Sequence, residues 1–431
     1  MSLQQIDHVV VLMLENRSFD CLLGTLYPHS KDFEGLRLDE VNTDLMGHPH
    51  EVWESNGLGN DAMSVPTPDP GELFEDMNMQ LFNGHREAGM TGFAQNYQVQ
   101  SEDPPYPPRN VMHHYQEHQV PVLRQLARSF AVSDQWHASA PCQTWPNRFF
   151  AHTGTAGGYV NNTPTHFPYR MPTIFGRLEK KGLPWRVYFH DIPQALTLEE
   201  LWPHLFHFRL FDEFKKDAKD GKLPAYSFIE PRYFTDLSLP NDQHPPHNVT
   251  LGEQLIAEVY NAVRQGKGWQ KTLLIITYDE HGGIFDHVAP GKAVPPSQEP
   301  TKPFNFDRYG VRVPAVLVSP YIKEGTILRS KGDYPFDHTS IIATLRKRFD
   351  LGEPLTGRDA AAPDLQHVFN LPEPSNDGPA EVHANRYEPS REEVRKAKAA
   401  PPNHHQRALK QAPLRVRSVR SLAWVLSKLP V

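Results

Sequence analysis

Two uninterrupted apolar runs, each ending abruptly on acids, constrain this chain more than any other feature. In residues 271–290, KTLLIITYDEHGGIFDHVAP, the β-rich run Thr272, Leu273, Leu274, Ile275, Ile276 stops at the adjacent carboxylates Asp279 and Glu280, and Gly282-Gly283 turns the chain at once. Residues 9–14, VVVLML, form a second such run, ended by Glu15, Asn16, Arg17, Ser18, Phe19 and Asp20, with Gly24 shortly after. A strand without a polar face is buried on both sides, as in a parallel sheet covered by helices. In open sheets of that kind, ligand crevices form at the carboxyl ends. A solvated turn after a core strand is the plain alternative for either run alone. Two such strands, far apart in sequence, instead predict parallel neighbours that share a metal between Glu15 with Asn16 and Asp279 with Glu280.

A third stretch, PCQTWPNR at 141–148, precedes Phe149, Phe150 and the small-residue run TGTAGG at 153–158. Taken in order, ENRSFD at 15–20, TWPNR at 144–148, DEHGGIFDHVAP at 279–290 and GVRVPAVLVSP at 310–320 resemble the phosphoesterase family of non-specific phospholipases C and acid phosphatases, a branch of the alkaline phosphatase superfamily. The resemblance runs from Glu15 to about Arg348, most of the chain. It implies an α/β fold with a mostly parallel central sheet flanked by helices, alkaline-phosphatase-like, and a metal-assisted hydroxyl nucleophile. Thr144 matches the nucleophile position, where its alkoxide would also bind the metal. Many members of the family carry a histidine just after an Asp-Pro segment. This chain has Glu72 there, so no role is transferred to that position.

At 431 residues, with 39% hydrophobic and 22% charged, the chain can bury a large core. Its formal charge of -7 argues against nucleic acid as a general partner. Cys21 and Cys142 cannot supply a disulfide framework or a Cys-rich zinc site, and two free thiols are expected. No apolar segment reaches the roughly 18 to 20 residues needed to span a bilayer, and a first strand beginning near Ile6 leaves no room for a signal peptide. The expectation is a cytoplasmic protein, or a secreted one if a signal was removed or another export route is used.

Residues 1–356 read as the catalytic domain. Within it, the Pro-rich runs at 66–70 and 104–108 cannot lie inside regular elements, so 29–109 is expected to form excursion loops over the active face, with one short helix over 74–82. Spacing predicts a helix over 121–131, strands over 184–189, 224–229 and 311–319, a helix over 251–264, and a helix over 340–349 capped by Thr339 or Ser340. Residues 357–431 form a Pro- and charge-rich C-terminal extension that wraps the domain or stays mobile. Its end is basic: Val416, Val419, Leu422, Ala423, Val425, Leu426 and Leu429 share one helical face, opposite Arg417, Arg420 and Lys428. Such a segment either makes peripheral contact with an anionic membrane, with Trp424 near the head groups, or docks on the domain or a second subunit.

The residue types define a chemistry. A phosphodiester is already anionic, so an oxygen nucleophile needs a cation to offset repulsion and lower its own pKa. Glu15, Asn16, Asp279 and Glu280 are hard oxygen ligands suited to calcium, magnesium or manganese, and nearby histidines would admit zinc or iron. Given the resemblance, Thr144 is expected to attack phosphorus in line and form a phosphothreonine. Proton transfer or phosphoryl binding falls to His190, which ends a strand beside Asp191, and to His244 and His247 in the proline-stiffened turn NDQHPPH at 241–247. A satisfied structural histidine is the plain alternative for each, since 23 histidines make such a pair expected by chance. Asn147 and Arg148 are expected to fix the nucleophile loop, and Arg17 either to help or to touch substrate. Asp337 and His338 divide evenly between ligand and structural roles, while Asp286 and His287 receive none. Three functions follow. One is a phospholipase C that cleaves glycerophospholipids such as phosphatidylcholine to diacylglycerol and a phosphorylated head group. The others are a broad-specificity acid phosphatase and a non-catalytic phosphate- or lipid-binding protein, the last opposed by the intact Thr144 and both acid pairs.

Overall fold

The computed structural model describes residues 2–101, 103–236 and 238–412. Its centre is a sheet built from β1 (His8–Leu14), β2 (Ala131–Ser133), β3 (Trp185–Phe189), β4 (Phe208–Leu210), β5 (Tyr226–Ile229), β6 (Thr272–Tyr278), β7 (Ala315–Val318) and β8 (Thr326–Ile327). The eight strands lie in the order β8-β2-β7-β6-β1-β5-β3-β4. The two apolar runs are therefore neighbours: β1 pairs with β6 in parallel, Leu14 opposite Tyr278, and with β5 on its other edge. Every residue of β6 is buried, as its lack of a polar face requires. Each fully buried Leu or Ile there stabilises the fold by about 1.5–3 kcal/mol. One strand is reversed. β7 is antiparallel to both β2 and β6, so the sheet is mixed but mostly parallel.

Helices cover the sheet: α1 (Phe74–Phe82), α2 (Pro121–Ser129), α3 (Thr144–Thr153), α4 (Val249–Gln265), α5 (Thr339–Phe349) and α6 (His404–Gln411). α2 starts on a proline, whose missing N–H would be unpaired there anyway. Glu253 of α4 accepts its next two N–H groups, from Val122 (2.6 Å) and Leu123 (3.2 Å), so one helix caps another. The start of α5 differs from expectation. Neither Thr339 nor Ser340 caps it. His338 holds the cap position, and the Asp337 carboxylate accepts the Thr339 N–H (3.2 Å), as a negative acceptor favours a helix amino end.

Beyond residue 357 the described chain stays against the sheet domain. Arg358 is buried and donates to Ser139 O (2.7 Å), Asn376 donates to Ser129 O (2.8 Å), and Val382 enters the core while its N–H reaches Asn261 Oδ1 (2.9 Å) on α4. The segment ends in α6, whose buried face is His405, Ala408 and Leu409. The basic amphipathic stretch at 415–429 lies outside the described residues. Among those described, no helix is long and apolar enough to cross a membrane. Cys21 and Cys142 are both buried free thiols.

Candidate active site

The strand register sets the first contact. Leu14 pairs with Tyr278, so Glu15 and Asp279 leave adjacent strands side by side, and the Asp279 N–H donates to Leu14 O (3.2 Å). Asn16 then adopts a left-handed backbone (φ 56°) and its N–H donates to Asp279 Oδ1 (3.0 Å). The glycine pair permits this close return. A Cβ at Gly282 (φ 63°) would sit 2.4 Å from Asn16 O, and one at Gly283 (φ 66°) 2.6 Å from Gly71 O. Gly283 thereby lets the loop carrying Glu72 lie against the strand ends. Glu72 accepts from Asn16 Nδ2 and from Gln143 Nε2 (3.2 Å), and its Oε2 is 3.4 Å from His244 Nε2.

Gln143 immediately precedes α3, so the same bond anchors the start of the helix at Thr144. Asn147 braces that start, accepting from the Ala140 N–H (3.1 Å) and donating to Cys142 O (2.6 Å). The Thr144 hydroxyl is buried and has no hydrogen-bond partner. Arg148, four residues on and so on the same helix face, brings its guanidinium 3.4 Å from Glu15 Oε1 and 3.4 Å from Asp279 Oδ2. It enters the carboxylate cluster rather than only bracing the loop.

The electrostatics follow from burial. Burial, with Asp279 next, pushes the Glu15 carboxyl well up; burial, with Glu72 next, does the same to Glu280. Burial also raises Asp279, against the lowering pull of Arg148. Burial alone would raise Glu72 too, but His244 and the Asn16 bond hold it below the usual carboxylate range. For His244, burial is outweighed by Asp69 and Glu72, and its pKa rises well above the ordinary value. Glu15 Oε2, Asn16 Oδ1, Thr144 Oγ1, Asp279 Oδ2 and Glu280 Oε1 remain buried without a hydrogen-bond partner. Each unmet buried group of this kind costs about 1–3 kcal/mol. These are hard oxygen donors at surplus negative charge, the donor type that suits a divalent cation. Asp69, Glu72 and His244 form an adjoining candidate group, one ligand atom from each lying within 4.8 Å of the others.

Residues 6–352 match the Phosphoesterase family. The chain belongs to that family. This phosphoesterase is thus a phosphoric ester hydrolase. It is 39% identical to non-specific phospholipase C1 of Arabidopsis thaliana over 385 residues, covering 85% of this chain and 71% of that protein. It is 27% identical over 440 residues to phospholipase C B of Mycobacterium tuberculosis, covering 87% and 79%. Among solved structures, a protein in the alkaline phosphatase superfamily from Vibrio parahaemolyticus aligns over 84% of this chain and 72% of its own at 11% identity, with a TM-score of 0.39.

Within the phosphoesterase, the anticipated residues separate. Glu15, Asn16, Asp279 and Glu280 stand at the ends of β1 and β6, and α3, which begins at Thr144, brings Arg148 to Glu15 and Asp279. The turn with His244 and His247 joins them because Asp242 O accepts the Glu15 N–H (2.9 Å); His247 Nδ1 lies 2.6 Å from Asp242 Oδ1. His190 does not join them. Its Nδ1 meets Glu230 O (3.0 Å) and its ring stacks on Phe211 at 4.5 Å. Arg17 donates to Gln243 O (2.7 Å) and Val65 O (2.6 Å), which holds two loops together. His338 Nε2 sits 2.6 Å from Asp279 O, behind the carboxylate, and Asp337 pairs with Arg358 (3.2 Å). Two neighbours of the cluster were not foreseen. Asp69 was passed over within a proline run. His405 of α6 brings Nδ1 to 3.4 Å from Glu15 Oε1, and burial holds its pKa well below the ordinary value. The pattern Asn403 to Gln406 signals a capped helix start there, but nothing in it signals a site.

Proposed function

We propose that this phosphoesterase is a phospholipase C that hydrolyses glycerophospholipids, phosphatidylcholine among them, to diacylglycerol and a phosphorylated head group, with Thr144 as nucleophile and a phosphothreonine intermediate. The observation that carries this is the buried, unpartnered Thr144 hydroxyl at the start of α3, on the face that also takes Arg148 into the Glu15–Asp279 pair. Similarity to relatives named phospholipase C in a plant and a bacterium supports a lipid phosphodiester as substrate.

Glu15, Asn16, Asp279, Glu280 and the Thr144 oxygen would hold a divalent cation; calcium, magnesium and manganese suit the oxygen donors, and zinc becomes suitable if a histidine joins. Such a cation supplies Lewis-acid charge and lowers the pKa of a nearby hydroxyl. Once deprotonated, Thr144 Oγ1 attacks phosphorus and the glycerol oxygen leaves. His244, kept protonated between Asp69 (3.6 Å) and Glu72 (3.4 Å), gives that oxygen its proton. In the second step His244 recovers a proton from the water that attacks the phosphothreonine, and the head-group phosphate departs. His247, held by Asp242, supports the same turn. Arg148 and the positive end of the α3 dipole offset charge on the phosphoryl oxygens. The basic segment at 415–429 is the proposed contact with the lipid surface.

The test compares a chromogenic phosphocholine ester, a simple aryl phosphate and phosphatidylcholine liposomes. Release of diacylglycerol from the liposomes is expected. Turnover of the aryl phosphate alone would make the protein a phosphomonoesterase, and no turnover of any of the three would leave a binding protein.

A further inference from the structure

The C-terminal segment does more than cover the domain. α6 opens with a capping box: Asn403 Oδ1 accepts the Gln406 N–H (2.8 Å) and Gln406 Oε1 accepts the Asn403 N–H (3.0 Å). The helix is then pinned outside the carboxylate cluster. Gln406 Nε2 donates to Tyr233 O (2.6 Å), the Lys410 ammonium lies 5.3 Å above the Phe234 ring, and Ala408 and Leu409 are buried. These contacts fix a rotation of α6 that sends His405 inward. Its side chain is 1% exposed, its ring lies 4.4 Å from that of Tyr233, and Nδ1 is 3.4 Å from Glu15 Oε1. Neither ring nitrogen has a hydrogen-bond partner.

Other buried histidines show what packing alone produces. His137 bonds Gly310 O (2.9 Å), His281 bonds Gln80 Oε1 (2.8 Å), and His338 reaches both Asp279 O (2.6 Å) and Trp136 Nε1 (3.3 Å). His152 also lacks hydrogen-bond partners, and it packs against the rings of Phe175 (5.2 Å) and Phe228 (4.5 Å) with no acid paired to it. His405 differs from both kinds. It faces Glu15, whose second oxygen, Oε2, is itself unpartnered.

We propose that His405 is a positioning residue of the active site: its Nδ1–H orients the Glu15 carboxylate toward the cation, so the site is complete only when the C-terminal segment is docked. This rests on the metal-assisted reading above. It assigns a role to a residue outside the family's matched span of 6–352. Carboxylates that bind metals are themselves held by hydrogen bonds from outside the coordination set, and losing such a partner typically costs about 10- to 100-fold in metal affinity.

The experiment uses the full-length, metal-free protein and titrates it with manganese alone by calorimetry. Thermal midpoint and the kcat and KM for a soluble phosphocholine ester are measured in parallel. His405→Ala is expected to lose about 10- to 100-fold in manganese affinity, with a lower kcat, a similar KM and a metal-free midpoint close to wild type. His405→Asn, which keeps an N–H donor near Nδ1, should recover most of the affinity. Leu409→Ala, on the same helix but facing the core, should lower the midpoint and leave affinity within about twofold. Wild-type manganese affinity in His405→Ala would overturn the assignment, as would an equal loss in Leu409→Ala, which would reduce the effect to helix docking. If His405→Ala does not fold, His405→Asn against the ring-filling His405→Phe makes the same comparison. A wild-type protein that binds no manganese would overturn the metal reading and this inference together, whereas unchanged affinity in the variants overturns this inference alone.

Discussion

Residues 15–20 and 279–287 feed two buried polar clusters, and the two are finished differently. In one, Arg312 closes the charge. Its Nε donates to Asp286 Oδ1 (3.0 Å), Nη2 to Asp20 Oδ1 (2.8 Å), and Nη1 to Glu34 O (2.8 Å) and Asp134 O (3.0 Å). His287 Nδ1 then lies 2.7 Å from Asp20 Oδ2. None of the side-chain nitrogens and oxygens of Asp20, Asp286 or Arg312 is left buried and unpartnered. In the other cluster, Glu15, Asn16, Thr144, Asp279 and Glu280 each keep an unmet oxygen. Both are acidic and both are buried, so burial and charge do not tell a structural knot from a site. Completion does: Arg312 and His287 leave no oxygen of the first set unmet, whereas Arg148 reaches the second set and still leaves five oxygens unpartnered, which is what the proposed cation site needs. Open space misleads here. A cleft of about 590 Å³ borders the closed knot at Glu34, His137, His287 and Arg312, while Glu15, Asn16, Thr144, Asp279 and Glu280 are buried.

The comparison breaks most visibly at Thr144. Thr144→Ala is expected to reduce hydrolysis about 10⁴-fold while the protein melts within a few degrees of wild type, because the hydroxyl bonds nothing in the fold and is the proposed nucleophile. Near wild-type rates in a pure sample would remove Thr144 from the mechanism. Next in size, Glu15→Gln and Asp279→Asn should each lose bound cation and about 10²- to 10³-fold in activity together, since β1 and β6 deliver both groups to one place. Full metal content in either variant would put that residue outside the coordination set.

The closed knot should respond in the opposite sense. Arg312→Met leaves Asp20 and Asp286 buried without their counter-charge, at a cost of about 3–5 kcal/mol in stability. Activity per folded molecule should stay within about threefold, and denaturant melts with parallel assays would check both. A variant that kept its stability but lost turnover would move the knot into the site.

His287 gives the knot a pH signature. Burial lowers its pKa, but the Asp20 hydrogen bond and the charges of Asp20 and Asp286 outweigh this and push it up to about 9. A folded pKa above the unfolded value of about 6.5 means that its stabilisation is complete below pH 6.5 and decays as pH rises toward 9. The full contribution is at most about 3 kcal/mol. His287→Gln should flatten the fall in stability between pH 6.5 and 9, and matching slopes in mutant and wild type would assign the proton elsewhere.

How much of this could be read from the chain depends on where each contact originates. β1 and β6 were legible because seven-residue buried strands have no polar face, and their acids were legible as the residues that end them. Lateral order was legible for that pair alone. His190 follows β3 with the same grammar, but β5 lies between β3 and β1, so His190 is one strand removed from Glu15 and meets Glu230 O after β5 instead. Nor does an apolar run encode direction, and β7 reads like its neighbours although it runs against them. Glu72 and His405 depend on closures that no local pattern states: a backbone approach at Gly283 for the first, and the rotation of a helix docked 390 residues after Glu15 for the second.

The smallest effect concerns the basic end of the chain, which lies outside the described residues and is read from the sequence alone. From residue 413 onward the sequence carries Arg415, Arg417, Arg420 and Lys428 and no acid, in a chain whose formal charge is -7. A basic residue in contact with an anionic bilayer surface contributes up to about 1 kcal/mol, falling off within a Debye length of about 8 Å at physiological salt, so two of the four in contact suffice for about tenfold. Truncation after Pro413 should therefore weaken binding to phosphatidylserine-containing liposomes by about tenfold at low salt, and by less as salt rises. Turnover of a soluble phosphocholine ester should not change, because the groups proposed to act with Thr144 all precede the cut. The two substrates separate the explanations: loss on liposomes alone makes the segment a membrane contact, whereas an equal loss on both with a lower melting temperature makes it packing.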